Sequence, residues 1–317
     1  MIVTSRPNAL RLFFALRGSI LPRIAWSLAT CTALALVVTA SHGSLFNAKI
    51  TLTPVPFSLI GLALAIFLGF RNSAAYDRYW EARKLWGELV YRARSLTRQL
   101  LTLTRLPAPA ALLRLDATEL HDVRHAMIRR TVGFAHALRH QLRDTDALAD
   151  LRAWLAPSEL SAFAASQSGH DLLLRLNGQQ LGDCLRAAQL DPQVAVQIDE
   201  QLCGLAAVAA GCERIKSTPI PFAYTLLLHR TAYLYCFLLP FGLVDSIGFM
   251  TPFVVAIVAY TFFGLDAVGD EIEDPFGLRA HHLPLDALCR TLEINLLEAM
   301  GGSELPPALQ PVDGWLH

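Results

Sequence analysis

From residue 50 to residue 70 the chain reads ITLTPVPFSLIGLALAIFLGF without a charged side chain, and from Arg71 it turns abruptly basic and aromatic, with no proline before Pro107. A helix needs about 20 apolar residues to cross the hydrocarbon core of a bilayer, and in lipid the backbone must satisfy its own polar groups. The pattern predicts one long helix over 54–100 that leaves a membrane near Arg71 and continues into water. The aqueous half keeps helical period, because Tyr76, Tyr79, Trp80, Arg83, Trp86, Val90, Ala93 and Leu96 or Thr97 recur at steps of three and four. That stripe is expected to pack on protein.

Composition agrees with lipid contact. Hydrophobic residues make up 53% of the 317 and charged residues 17%, against about 25% charged in ordinary globular chains; the mean hydropathy is +0.38. The formal net charge is zero, so nothing in the bulk electrostatics points to a nucleic-acid partner. Six cysteines, Cys31, Cys184, Cys203, Cys212, Cys236 and Cys289, show no CxxC and no regular spacing. They read as buried or reduced thiols rather than a disulfide scaffold.

Residues 1–23 place Arg6, Arg11, Arg17 and Arg23 among Leu and Phe, a pattern suited to a cytoplasmic or interfacial segment. A first transmembrane candidate follows at 24–41, with Trp26 as an interfacial anchor. Thr39-Ala40-Ser41 makes a poor cleavage site, so the run is read as an anchor and not a removed signal. Between the first two spans only Lys49 is charged, whereas Arg71, Arg78, Arg83, Lys84, Arg92, Arg94 and Arg98 follow the second. The excess of positive charge on cytoplasmic loops then puts the N-terminus and the basic segment inside and the 42–53 loop outside.

The division expected is therefore 1–23 cytoplasmic or interfacial, 24–75 first and second spans, 76–218 a cytoplasmic helical region, 219–265 third and fourth spans, and 266–317 a C-terminal cytoplasmic segment. In the helical region, helices are expected over 116–143, 147–155 and 171–188, and from Asp191-Pro192 to 216, where Asp caps and Pro fills the first position. Arg230, in the third span, should face protein or a wet cavity. The fourth span is expected over 246–265 after a turn at Asp245, and a last helix over 285–300. No β-alternation is long enough to propose a sheet. The fold class is all-α, a four-span membrane protein with a large cytoplasmic part.

The acidic cluster Asp266, Asp270, Glu271, Glu273 and Asp274 has obvious partners in the arginines of the second helix. Arg71, Asp77, Arg78, Asp270, Glu271, Glu273 and Asp274 are accordingly expected to form a structural acidic and basic network. His121 with His125, and His136 with His140, stand at i,i+4 metal-ligand spacing, but no third ligand accompanies either pair. No metal and no cofactor is expected. Nor is catalysis, since no G-x-S-x-G, Walker A, Rossmann glycine pattern or HExxH occurs. Leu62, Ile66 and Phe70 share one helix face at i,i+4 spacing, which suits a pore lining, a lipid-facing surface or helix packing; Gly61 and Gly69 beside them favour packing equally well.

LGF at 68–70 followed by RYW at 78–80, EARKLWG downstream, TPIPFAYTLL at the start of the third span and DEIEDPFG at 270–277 occur in this order along nearly the whole chain. The combination resembles the bestrophin family in its bacterial branch. That resemblance implies an ion channel, a homopentamer around one central pore in the bacterial inner membrane, with both termini cytoplasmic. It implies that Leu62, Ile66 and Phe70 form the pore neck and that a second, cytoplasmic constriction lies near Leu190, Gln193 and Val194. The partners implied are other copies of the chain, membrane lipid and the permeating monovalent ions.

Two departures qualify the resemblance. After Pro275-Phe276-Gly277 comes Leu278-Arg279-Ala280-His281-His282, where animal members carry the acidic run of a calcium clasp. Calcium wants six to eight oxygens, so calcium activation through this segment is not expected. Ile66 stands where animal members have an aromatic ring, whose electropositive edge favours anions; this tilts the expectation toward monovalent cations. An anion channel of the same architecture is the alternative, as is a membrane-anchored scaffold binding a cytoplasmic partner. A hydrolase or metalloenzyme built on the His pairs is the remaining reading.

Overall fold

In the computed structural model, residues 1–2, 10, 14–45, 48–49, 53–104 and 117–316 are described. Helix α1 (Leu21–Ala40) leads to a two-residue antiparallel pair, β1 (Ser44–Leu45) with β2 (Ala48–Lys49), and then to α2 (Pro54–Thr102). Next come α3 (Ala117–Arg143), α4 (Leu148–Leu151), α5 (Pro157–Ala164), α6 (Gly169–Arg186) and α7 (Pro192–Ser217). Helices α8 (Phe222–Ile247) and α9 (Thr251–Ile272), and finally α10 (Leu285–Ala299), complete the order. His121 and the other side chains at the start of α3 lie outside the described residues.

Helix α2 is 49 residues long and unbroken, about 73 Å at 1.5 Å per residue. Proline near its first turn lacks only a donor that would be unpaired there anyway. Its two halves belong to separate cores. Toward the N-terminal end Leu64 and Leu68 pack with Ile24 and Cys31 of α1, Ala232 and Cys236 of α8, and Ala259 and Phe263 of α9. Toward the other end Trp86, Leu89 and Leu96 pack with Ile128 and Phe134 of α3, Leu205 and Cys212 of α7, and Leu292 of α10. One helix thus spans an apolar bundle and a body of amphipathic helices.

The stretch Phe222–Ile272 folds back on itself. Tyr233 meets Phe263 at 4.4 Å between ring centroids and Tyr235 meets Phe262 at 5.3 Å, so α8 and α9 are antiparallel. The reversal falls on a 3₁₀ turn at Gly248–Met250, with Gly248 at φ 56°. Only glycine adopts that backbone without penalty, which corrects the turn expected at Asp245; Asp245 belongs to the last turn of α8. Helix α9 also runs past its expected end at 265 to Ile272, because the carboxylates it carries there are ion-paired and need no solvated loop. Helix α5 went unforeseen. Pro157 at its first position, and Glu159 accepting from the Ala156 N–H at 3.0 Å, are the local signals.

The buried stripe on the C-terminal half of α2 is Ala75, Ala82, Trp86, Leu89, Ala93, Leu96 and Leu100. Tyr76 and Trp80, expected to pack on protein, are exposed in the single chain. Small alanines let neighbouring helices approach one face closely and leave the bulky rings on the flank. All six cysteines are free thiols, and Cys203 is the exposed one. Trp86 is fully buried, so Trp86→Ala should cost about 3–5 kcal/mol. The expected outcome is a clearly lower melting temperature of the detergent-solubilised protein, with Trp86→Phe losing much less.

Candidate neck and its charged collar

Leu62, Ile66 and Phe70 project from one face of α2 and are 63%, 48% and 64% exposed. The opposite face carries the buried Phe57, Leu64, Leu68, Arg71 and Ala75. The trio spans eight residues, about 12 Å along the axis. Large exposed apolar side chains in a row need lipid, another copy or a constricted pore to cover them. Of the two flanking glycines, Gly61 lies against Tyr235 of α8, where an added Cβ would come within 2.6 Å of the phenol oxygen. Gly69 has open space instead.

One residue after the trio, the chain buries a charge. The Arg71 side chain is 0% exposed, and its Nη1 donates to Asp266 Oδ1 at 2.7 Å and to the Asp266 carbonyl at 3.3 Å. Its Nη2 pairs with Asp270 and lies 3.8 Å from Glu273. His229 Nδ1 stands 2.6 Å from Asp266 Oδ2, and Arg23, in the first turn of α1, reaches Asp270 at 3.4 Å and Glu271 at 3.7 Å. Arg78 donates to the backbone carbonyls of Ile215, Thr218 and Glu273, while Glu273 accepts from the Ile220 N–H at 2.9 Å. The collar ties α2 to α9, to the first turn of α1 and to the α7–α8 connection.

The remaining expected residues lie elsewhere. Asp274 accepts from the Phe276 N–H at 3.4 Å and shapes the local turn. Asp77 is exposed and, among the described residues, makes no hydrogen bond or ion pair. Leu190 and Val194 pack against the core formed with the second half of α2, and only Gln193 of that trio is exposed. Arg230 lies exposed in a groove with Phe57, Ile60, Leu234, Tyr235 and Leu238; its neighbour His229 is the one turned into the charged collar. His136 meets Glu293, and His140 meets Asp150 at 3.0 Å; among the described residues no three ligand-type side chains converge for a metal.

Sequence reasoning named the acidic cluster but did not single out Asp266 as its buried member. The available signal was position: Asp266 falls one turn before Asp270, in the last turns of an apolar run, where a carboxylate needs a partner. Removing Arg71 would strand that carboxylate, which costs about 3–5 kcal/mol for a broken buried pair. Arg71→Met should therefore sharply lower thermal stability in detergent. Adding Asp266→Asn should restore part of the loss.

Residues 1–298 match the family model described as bacterial and fungal bestrophin protein. A Mesorhizobium japonicum protein named as voltage-dependent anion channel-forming is 44% identical over 99% of this chain and 96% of its own length. An Escherichia coli K12 protein with the same functional name is 40% identical over 98% of each. A crystal structure of a bacterial bestrophin homologue from Klebsiella pneumoniae superposes with a TM-score of 0.80 at 41% identity, covering 89% of this chain and 100% of the other. The match spans the collar and the exposed apolar face alike, and the chain belongs to the bacterial and fungal bestrophin family.

Proposed function

We propose that the chain forms a homopentameric ion channel in the bacterial inner membrane, with four spans per subunit, both termini cytoplasmic, and Leu62, Ile66 and Phe70 as the pore neck. The observation that carries this reading is the bare apolar face of α2 set opposite a packed one, in a chain whose relatives are named channel-forming. Five copies turned inward would stack three greasy rings, a constriction that gates by dewetting and strips an ion of hydration. The four spans are α1, the first half of α2, α8 and α9; α3 to α7 and α10 make the cytoplasmic body. Exposed Tyr76 and Trp80 supply aromatic surface for contact between copies. A second constriction near Leu190, Gln193 and Val194 would be lined by Gln193, its exposed member.

Among monovalent ions, the relatives' names favour anions and give the cation expectation no support. The aliphatic Ile66, which brings no electropositive ring edge to the neck, is the observation behind cations as a second reading. Calcium is not the activator through 278–282, where Arg279 and His281 replace carboxylates and His281 Nε2 lies 3.1 Å from the Gly18 carbonyl.

Two measurements on purified protein in planar bilayers test these readings. Changing Leu62, Ile66 and Phe70 together to Ala should raise current by roughly tenfold, equivalent to removing about 1.4 kcal/mol of barrier. No current even in that variant would favour the scaffold reading. Under a KCl gradient, a reversal potential near the chloride equilibrium value assigns anions and one near the potassium value assigns cations. Ile66→Phe should move it toward chloride.

A further inference from the structure

We propose that Asp77 is a specificity-determining residue of the pore, a ring of carboxylates on the cytoplasmic side of the neck that concentrates cations and repels anions at its mouth. The inference rests on the pore reading of α2 and adds to it a charged residue that belongs to the same stripe. Seven residues separate Phe70 from Asp77. At 100° per residue that brings Asp77 back to within about 20° of the same face, about 10 Å further along the axis. Leu62, Ile66, Phe70, the exposed Ser73 and Asp77 therefore form one line, opposite the buried Ala75 and Ala82.

What distinguishes Asp77 is that it has nothing else to do. Between residues 71 and 81 the other charges are engaged: Arg71 with Asp266 and Asp270, Arg78 with three backbone carbonyls, Glu81 with Arg214 on α7. Asp77 is exposed, and among the described residues no cation or donor meets it. A lone exposed carboxylate interacts weakly through water, but five around an axis add their potentials. Screening over about 8 Å at physiological salt confines the effect to the nearest constriction. The next charge on the stripe, exposed Lys84, sits another two turns away and is of opposite sign. The neck mouth thus answers to Asp77, and with aliphatic Ile66 above it the local field favours cations whichever ion dominates overall.

The test is the reversal potential of full-length protein in planar bilayers under a KCl gradient, in the wild-type background and in the background with Ala at 62, 66 and 70, so that a closed neck does not hide the effect. Asp77→Asn should lower the cation-to-anion permeability ratio by roughly fivefold, the effect of five carboxylates about 10 Å from an axis at moderate salt. Asp77→Glu should retain the wild-type ratio, Asp77→Lys should lower it further, and the differences should shrink in about 1 M KCl, where the screening length is about 3 Å. If currents flow and the Asn and Lys variants keep the wild-type reversal potential, the inference is overturned while the pore stands. If neither background conducts with Asp77 intact, the pore reading fails and takes this inference with it.

Discussion

A guanidinium with no access to solvent, placed at the end of an apolar helix, is the interaction on which this architecture depends. Arg71 is held by Asp266 and Asp270, and Asp266 is shared with His229. Ions taken out of water are tolerated only where geometry and additional hydrogen bonds compensate the lost hydration. The result is a collar with one rotational solution for α2. Arg71 must face α9, so the side of the helix turned away, with Leu62, Ile66 and Phe70, is left uncovered.

The same helix then serves the second helical body. Its apolar half packs on α1, α8 and α9 and its polar half on α3, α7 and α10, with no break between. Trp86, Leu89 and Leu96 in the second core and Phe70 on the bare face thus lie on one continuous helix. The collar lies between the two halves, and Arg78 adds hydrogen bonds to the Ile215 carbonyl near the end of α7 and to Thr218 in the turn that follows. Packing and charge act here on one element.

The charges along α2 sort by what surrounds them. Buried Arg71 is matched by carboxylates, half-buried Arg78 by carbonyls, and half-buried Glu81 by Arg214. Asp77, on the bare face, has no such partner among the described residues. An arginine-rich helix would suggest attraction of anions. Pairing removes Arg71 and Arg78 from that account and leaves Asp77, on the bare face, as the unpaired charge of this stretch among the described residues.

What the sequence by itself determined was the long helix, its departure from the apolar phase at Arg71 and the identity of the bare trio, because a charge-free run and a steady helical period are local properties. The hairpin between α8 and α9 was legible as two apolar stretches, but its turn was placed at the charge, Asp245, whereas backbone freedom at Gly248 decided it. Helix α5 was hidden in a short, weakly periodic stretch. Only the tertiary structure decided that Asp266 is the buried partner, that His229 and not Arg230 joins it, and that Asp77 stays out of the network. Those outcomes depend on which faces of three helices meet. A one-dimensional pattern sets the phase within each helix, but the angle between helices comes from packing side chains separated by up to about 200 positions in the chain.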